Sequence, residues 1–142
     1  HRTLYHGHTY TGNPLACAAA LASLDLFEDG ELLADVNRKA ARLAQYLEPL
    51  RDPERFPTVA DVRQRGLMIG IELAPKQEGD AATGFDPSRR LGHEICAACR
   101  EKGLIIRPLG NVLVLMPPLA ITPANLERMA GIVVETVEQV GA

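Results

Sequence analysis

The chain has 142 residues, of which 46% are hydrophobic, and a formal net charge of −3. That length supports a core, and that hydrophobic content excludes a disordered chain. The mildly acidic balance, the 4% aromatic content and the absence of Trp exclude an electrostatic footprint for nucleic acid or an anionic membrane, and base-stacking platforms with it.

The chain opens on His6-Gly7-His8-Thr9-Tyr10-Thr11-Gly12-Asn13-Pro14. Asn13-Pro14 reads as an N-cap followed by the first helical residue. Amides, Thr hydroxyls and an imidazole ahead of a helix suit an anion such as a phosphate. No initiator Met precedes this loop, so the expectation is a piece of a longer protein.

A first helix is expected from Pro14 to about Glu28. It is apolar nearly all round until Asp25, which predicts burial on more than one side, between two domains or two subunits. Asp29-Gly30 breaks it. A second helix follows to about Leu50, with Leu32, Leu33, Val36, Ala40, Leu43, Leu47 and Leu50 at helical spacing. Arg38, Lys39, Arg42 and Glu48 read as its solvated face. Pro49, Pro53 and Pro57 mark a loop.

Residues 59–65 and 67–73 are strand-like and flank Arg65-Gly66, giving a hairpin or one kinked strand. Lys76 to Phe85 reads as a surface loop. Asp86-Pro87 repeats the cap signal for a third helix carrying Leu91, Ile95, Ala98 and Cys99 and ending at Gly103. Leu104-Ile105-Ile106-Arg107 is a short strand ended by Pro108. Gly110-Asn111 turns the chain, and residues 112–116 return as a buried strand. Thr122-Pro123 caps a last helix with Leu126, Met129, Val133, Val137 and Val140 inside. The fold class is α+β, a small, largely antiparallel sheet covered by helices. Residues 1–28 form the opening loop and helix, and residues 29–142 form the small domain.

Arg107 is the strongest single candidate for chemistry. A guanidinium held at a strand end beside a rigid Pro can grip a carboxylate through two parallel hydrogen bonds; the plain alternative is a surface Arg at a strand terminus. Thr9 and Thr11 can donate to a phosphate, or can simply build a turn. His6 and His8 lack a placed third ligand, so no metal site is assigned. Cys17, Cys96 and Cys99 are too few for a disulfide framework and fit a reducing compartment. Cys96 and Cys99 lie mid-helix, where packing outweighs redox chemistry. Asp61 and Glu72 do not pair as acid and base, and Gly66 and Gly70 read as packing glycines. No run is long and apolar enough to span a bilayer and no signal peptide is seen, so a cytoplasmic location is expected.

Three segments carry a resemblance. His6–Leu21 resembles the T-[YF]-x-G-N-P-L-A-x-A-A segment of class III pyridoxal-phosphate aminotransferases. Val62–Leu73 is similar to their V-R-x-x-G-L-M-x-G-I-E-L strand. Ile106–Val112 with Leu115–Leu119 completes the set in family order. Within the class, the His-Gly ahead of Thr9 and the I-R-P-L-G and L-M-P-P blocks are most similar to the branch that aminates 8-amino-7-oxononanoate in biotin synthesis. Other class members acting on an ω-amino acid, a diamine or 4-aminobutyrate stay open, as does a stand-alone α+β binding module.

The resemblance implies the C-terminal small domain of a fold-type I transferase that uses pyridoxal 5'-phosphate. It implies that His8 and Thr9 meet the cofactor phosphate across a homodimer interface. Gly7 would contact the small-molecule substrate through its backbone, and Arg107 would bind the substrate carboxylate. The family's Schiff-base lysine is expected upstream of His1; Lys39, Lys76 and Lys102 match no such motif. Two departures stand out: His8 replaces a Pro of some relatives, and Val114 replaces a Tyr. The second removes a hydroxyl and leaves the amino donor open between S-adenosylmethionine and lysine.

Overall fold

The computed structural model describes His6, Gly7, Thr9 and residues 11–74 and 90–141. It divides into two compact units, His1–Asp35 and Val36–Ala142.

The first unit holds the opening loop and helix α1, Pro14–Asp25. Asn13 caps α1 as its sequence predicts, its Oδ1 accepting from the Ala16 amide at 3.1 Å. The helix ends three residues earlier than expected, and Gly30 takes φ 72° in the break. Its predicted burial is not seen within this chain: α1 has no buried residue, and Leu15, Leu21 and Leu24 are exposed. A helix apolar on every side has no single face that one neighbour can cover.

Helix α2, Glu31–Leu47, runs into a short 3-10 turn, Glu48–Arg51, so the helix stops before Pro49. Leu43, Leu47 and Leu50 are buried as expected, but Leu33 is 51% exposed. Lys39 corrects the reading of a solvated face. It is only 7% exposed, and its Nζ donates to the Leu119 carbonyl at 2.8 Å. The reason is helical register. Lys39 lies three residues after Val36 and four before Leu43, so it belongs to the inward stripe.

The sheet has four antiparallel strands in the order β1-β2-β4-β3. They are β1 (Val59–Arg65), β2 (Met68–Leu73), β3 (Arg107–Leu109) and β4 (Val112–Leu115). The alternative of one kinked strand is excluded, because β1 and β2 form a hairpin with Arg65 opposite Met68. A register shift between Val59 and Asp61 bulges β1. Val62, Ile69, Ile71, Leu73, Leu113 and Leu115 point to one face and are buried. Against them pack Leu91, Ile95 and Cys99 of α3 (Leu91–Glu101) and Leu126, Met129, Val133 and Val137 of α4 (Pro123–Gly141). Leu43 and Leu47 of α2 complete the core.

Two expected strands differ. Leu104–Ile106 is not a strand, and β3 begins at Arg107, so Arg107 opens it and Pro108 lies inside. Pro is tolerated there because β3 is an edge strand whose missing N–H breaks no ladder. Strand β4 is buried on one face only: Leu113 and Leu115 are fully buried, whereas Met116 beyond it is 66% exposed. Helix α3 starts at Leu91 with Arg90 as N-cap, and the expected Asp86-Pro87 signal and the 76–85 loop lie outside the described residues. Thr122 Oγ1 accepts from the Asn125 amide at 3.3 Å at the start of α4, as the sequence predicts.

The last turns of α4 are tied to the chain before β1. Arg55 grips Glu138 with two bonds, Nε to Oε1 at 2.5 Å and Nη2 to Oε2 at 2.8 Å. The hydrogen bonds from Arg55 hold the Glu138 carboxyl below its ordinary 4.5. A carboxyl lowered on folding stabilises the fold above its unfolded pKa and loses that contribution as pH falls through the folded value. The stability gap between wild type and Glu138→Gln is therefore expected to be constant near neutral pH and to close below about pH 4.5. Denaturation midpoints measured across an acid series in the full-length protein check this.

Candidate functional site

Arg107 is placed by the β3–β4 hairpin. Gly110 turns it with φ 59°, a left-handed value that suits glycine. Asn111 then fastens the turn to β2: its Nδ2 donates to the Leu73 carbonyl at 3.0 Å, and the Leu73 amide donates to the Asn111 carbonyl at 2.8 Å. The segment bearing Arg107 is therefore held at its base, although β3 is only three residues long.

The register lines up one row across the sheet. Arg107 lies opposite Val114, Val114 opposite Gly70, and Gly70 opposite Arg63. Directly opposed residues share a face, so this row lies on the side of the sheet away from the core. Among the described residues the Arg107 side chain makes no hydrogen bond or ion pair, and its guanidinium is available to an anion. Arg63 is different. Its Nη1 binds Glu72 at 2.6 Å and Asp61 at 3.0 Å. That explains why Asp61 and Glu72 are not an acid–base pair: both spend their charge on one arginine.

Two hollows flank Val114. One, of about 550 Å³, lies at the β3 edge and is lined by Ile105, Arg107, Val114, Met116, Met129 and Ile132 among others. The other, of about 360 Å³, lies over Gly70 beside Arg63, Met68 and Val112. A Cβ on Gly70 would meet Val112 Cγ1 at 3.3 Å, so glycine keeps that hollow open. A guanidinium in the wall of a largely apolar hollow, which Asn125 and Arg128 also line, suits a molecule with a carboxylate on an aliphatic chain. Val114 puts only methyl groups beside Arg107, so no hydroxyl competes there for the anion.

The opening-loop residues belong to the first unit. Gly7, Thr9 and Thr11 are exposed, and Thr9 and Thr11 lie in turns. Gly12 has φ 71° and leads into the Asn13 cap. Hydroxyls and amides just ahead of a helix N-terminus form a donor set that fits a phosphate monoester. His8 lies outside the described residues. Neither described lysine serves as a free amine. Lys39 is buried on the Leu119 carbonyl, and Lys102 binds Glu135 at 2.8 Å and Gln139 at 2.9 Å.

Cys96 and Cys99 are buried in α3. Burial, with the Cys99 neighbour second, pushes the Cys96 thiol up to about 11. Such thiols are packing groups, as their mid-helix position predicts. Among the described residues no helix is long and apolar enough to cross a membrane, and no cluster of three or more His, Cys, Asp or Glu can hold a metal ion.

The small antiparallel sheet backed by helices is a fold found in transaminases. A crystal structure of adenosylmethionine-8-amino-7-oxononanoate aminotransferase from Methanocaldococcus jannaschii matches 96% of this chain and 30% of its own, with TM-score 0.80 and 37% identity. The PMP-bound aminotransferase from Vibrio fluvialis matches 97% of this chain and 29% of its own, with TM-score 0.82 and 32% identity. Among curated sequences, the adenosylmethionine-8-amino-7-oxononanoate aminotransferase of Nitratidesulfovibrio vulgaris is 51% identical over 128 residues, 90% of this chain and 23% of the relative. The class-III aminotransferase family matches residues 1–137. The chain belongs to the class-III aminotransferases. It spans about a quarter of the length of two curated relatives that it matches, 23% of one and 27% of the other.

Proposed function

We propose that this chain is the C-terminal small domain of an aminotransferase that converts 8-amino-7-oxononanoate to 7,8-diaminononanoate. The observation that carries the reading is Arg107. It stands without a charged partner among the described residues, in the lining of a largely apolar hollow. The substrate's carboxylate on its aliphatic chain is the complement of that arrangement. The 51% identity to a relative of that name supports it.

Pyridoxal phosphate, when bound, supplies the electron sink that lets an amino group pass between donor and acceptor. This chain's part is binding. Thr9, and with it His8, would meet the cofactor phosphate, reaching into the site of a second copy in a homodimer. Gly7 would present its backbone to the substrate, and a Cβ there would meet nothing within 4 Å. Arg107 would hold and orient the carboxylate. Lys39 and Lys102 would not anchor the cofactor, since both are otherwise engaged among the described residues. We place residues 1–28 with the cofactor site, residues 29–142 as the small domain, and the enzyme in the cytoplasm.

The test is a coupled assay of the full-length protein with 8-amino-7-oxononanoate and either S-adenosylmethionine or lysine as donor. Formation of 7,8-diaminononanoate with one donor is the expected result. No turnover with either, alongside turnover of an ω-amino acid, would overturn the substrate assignment.

A further inference from the structure

We infer that Gly92 is a positioning residue for the carboxylate-binding Arg107. The inference rests on the reading of Arg107 given above. Gly92 is the second residue of α3 and is buried. A Cβ built there would lie 3.0 Å from Pro108 Cβ, 3.6 Å from Pro108 Cγ and 3.3 Å from the Gly110 carbonyl oxygen. The neighbours are thus the residue directly after Arg107 and the residue that turns the hairpin.

The geometry makes the contact consequential. Among the described residues strand β3 pairs with β4 alone, and on its other side no strand holds it. Asn111 fastens the far end of the turn to Leu73. The α3 backbone at Gly92 is what the near end rests against. Pro108 has a fixed φ and a stiff ring, so it cannot absorb an intruding methyl by rotating a side chain. Ordinary contact begins at 3.4 Å, so a 3.0 Å approach makes the hairpin or α3 give by a few tenths of an ångström. The displacement is applied one residue from Arg107. Glycine costs helix stability relative to alanine, and here the absent methyl admits the hairpin.

The test uses the full-length, cofactor-loaded protein with 8-amino-7-oxononanoate and its methyl ester. The quantity read is the ratio of kcat/KM for acid over ester. A displaced guanidinium loses its hold on the charged end only, so Gly92→Ala is expected to lower the ratio roughly tenfold and to leave the ester's kcat/KM unchanged. A packing defect lowers both alike and leaves the ratio intact, which would overturn the assignment. Should Gly92→Ala not fold, Pro108→Gly removes the opposing Cβ, and an unchanged ratio there overturns it equally. Arg107→Ala runs beside both. If it also preserves the ratio, the carboxylate reading of Arg107 falls; if it abolishes the ratio while Gly92→Ala preserves it, the Gly92 assignment falls alone.

Discussion

Replacing Arg107 by Ala in the full-length protein is expected to raise KM for the keto acid steeply and to leave the cofactor's absorbance as it is. The two readouts separate because Arg107 lines a largely apolar hollow in the second unit, whereas the phosphate-binding candidates lie in the opening loop of the first. Losing a charged, hydrogen-bonded contact to a carboxylate costs about 2–5 kcal/mol, a rise in KM of roughly 30-fold or more. Lysine does not replace it fully, because a point charge cannot make the two parallel bonds of a guanidinium. Steady-state kinetics with an absorbance spectrum on the same sample check both halves. Unchanged KM would remove Arg107 from the substrate site.

The second large effect is on stability. Leu113 is fully buried on β4, between Ile71 of β2 and Pro108 of β3 in register. It therefore supports both the sheet centre and the strand that carries Arg107. Leu113→Ala removes its packing and leaves a cavity the close-packed neighbours fill only in part, costing about 2–5 kcal/mol. The expected result is a lower denaturation midpoint for the full-length protein, with KM for the keto acid raised as well. The neighbouring Val114, half-buried on the other face of the same strand, is expected to tolerate Ala with a far smaller loss of stability.

Most of the architecture was legible in the sequence because it follows from local rules. The Asn13-Pro14 and Thr122-Pro123 caps start α1 and α4 where their side chains and ring geometry dictate. The spacing of Leu126, Met129, Val133 and Val137 defines the inner face of α4. Gly110 marks the β3–β4 turn, as its sequence predicts, whereas Gly66, read as a packing glycine, instead turns the β1–β2 hairpin with φ 59° and has nothing within 4 Å of its Cβ position. Boundaries were less legible. Leu104–Ile106 has strand composition, but no partner strand accepts its ladder bonds, so β3 begins only at Arg107. Lys39 carries a charge that suggests solvent, yet its register on α2 carries it inward to the Leu119 carbonyl.

The candidate site divides the same way. Arg107 beside Pro108 was readable as a candidate for binding an anion because charge and rigidity are properties of the residues themselves. Its neighbours were not. Gly70 and Arg63 join its row only through strand pairing between segments some forty residues apart in sequence, a register that hydrophobic alternation leaves open. Gly92 gave one signal, a glycine inside a helical pattern, which marks a close approach without naming the partner. The sequence by itself determined which elements form, which residue types are available for chemistry, and the family to which the chain belongs. The tertiary structure alone decided that α3 lies against the hairpin of Arg107 and, among the described residues, that Arg63 rather than Arg107 is neutralised by carboxylates and that the two share a row across the sheet. Those are facts of distance between segments, set by packing and strand register, and no local pattern encodes them.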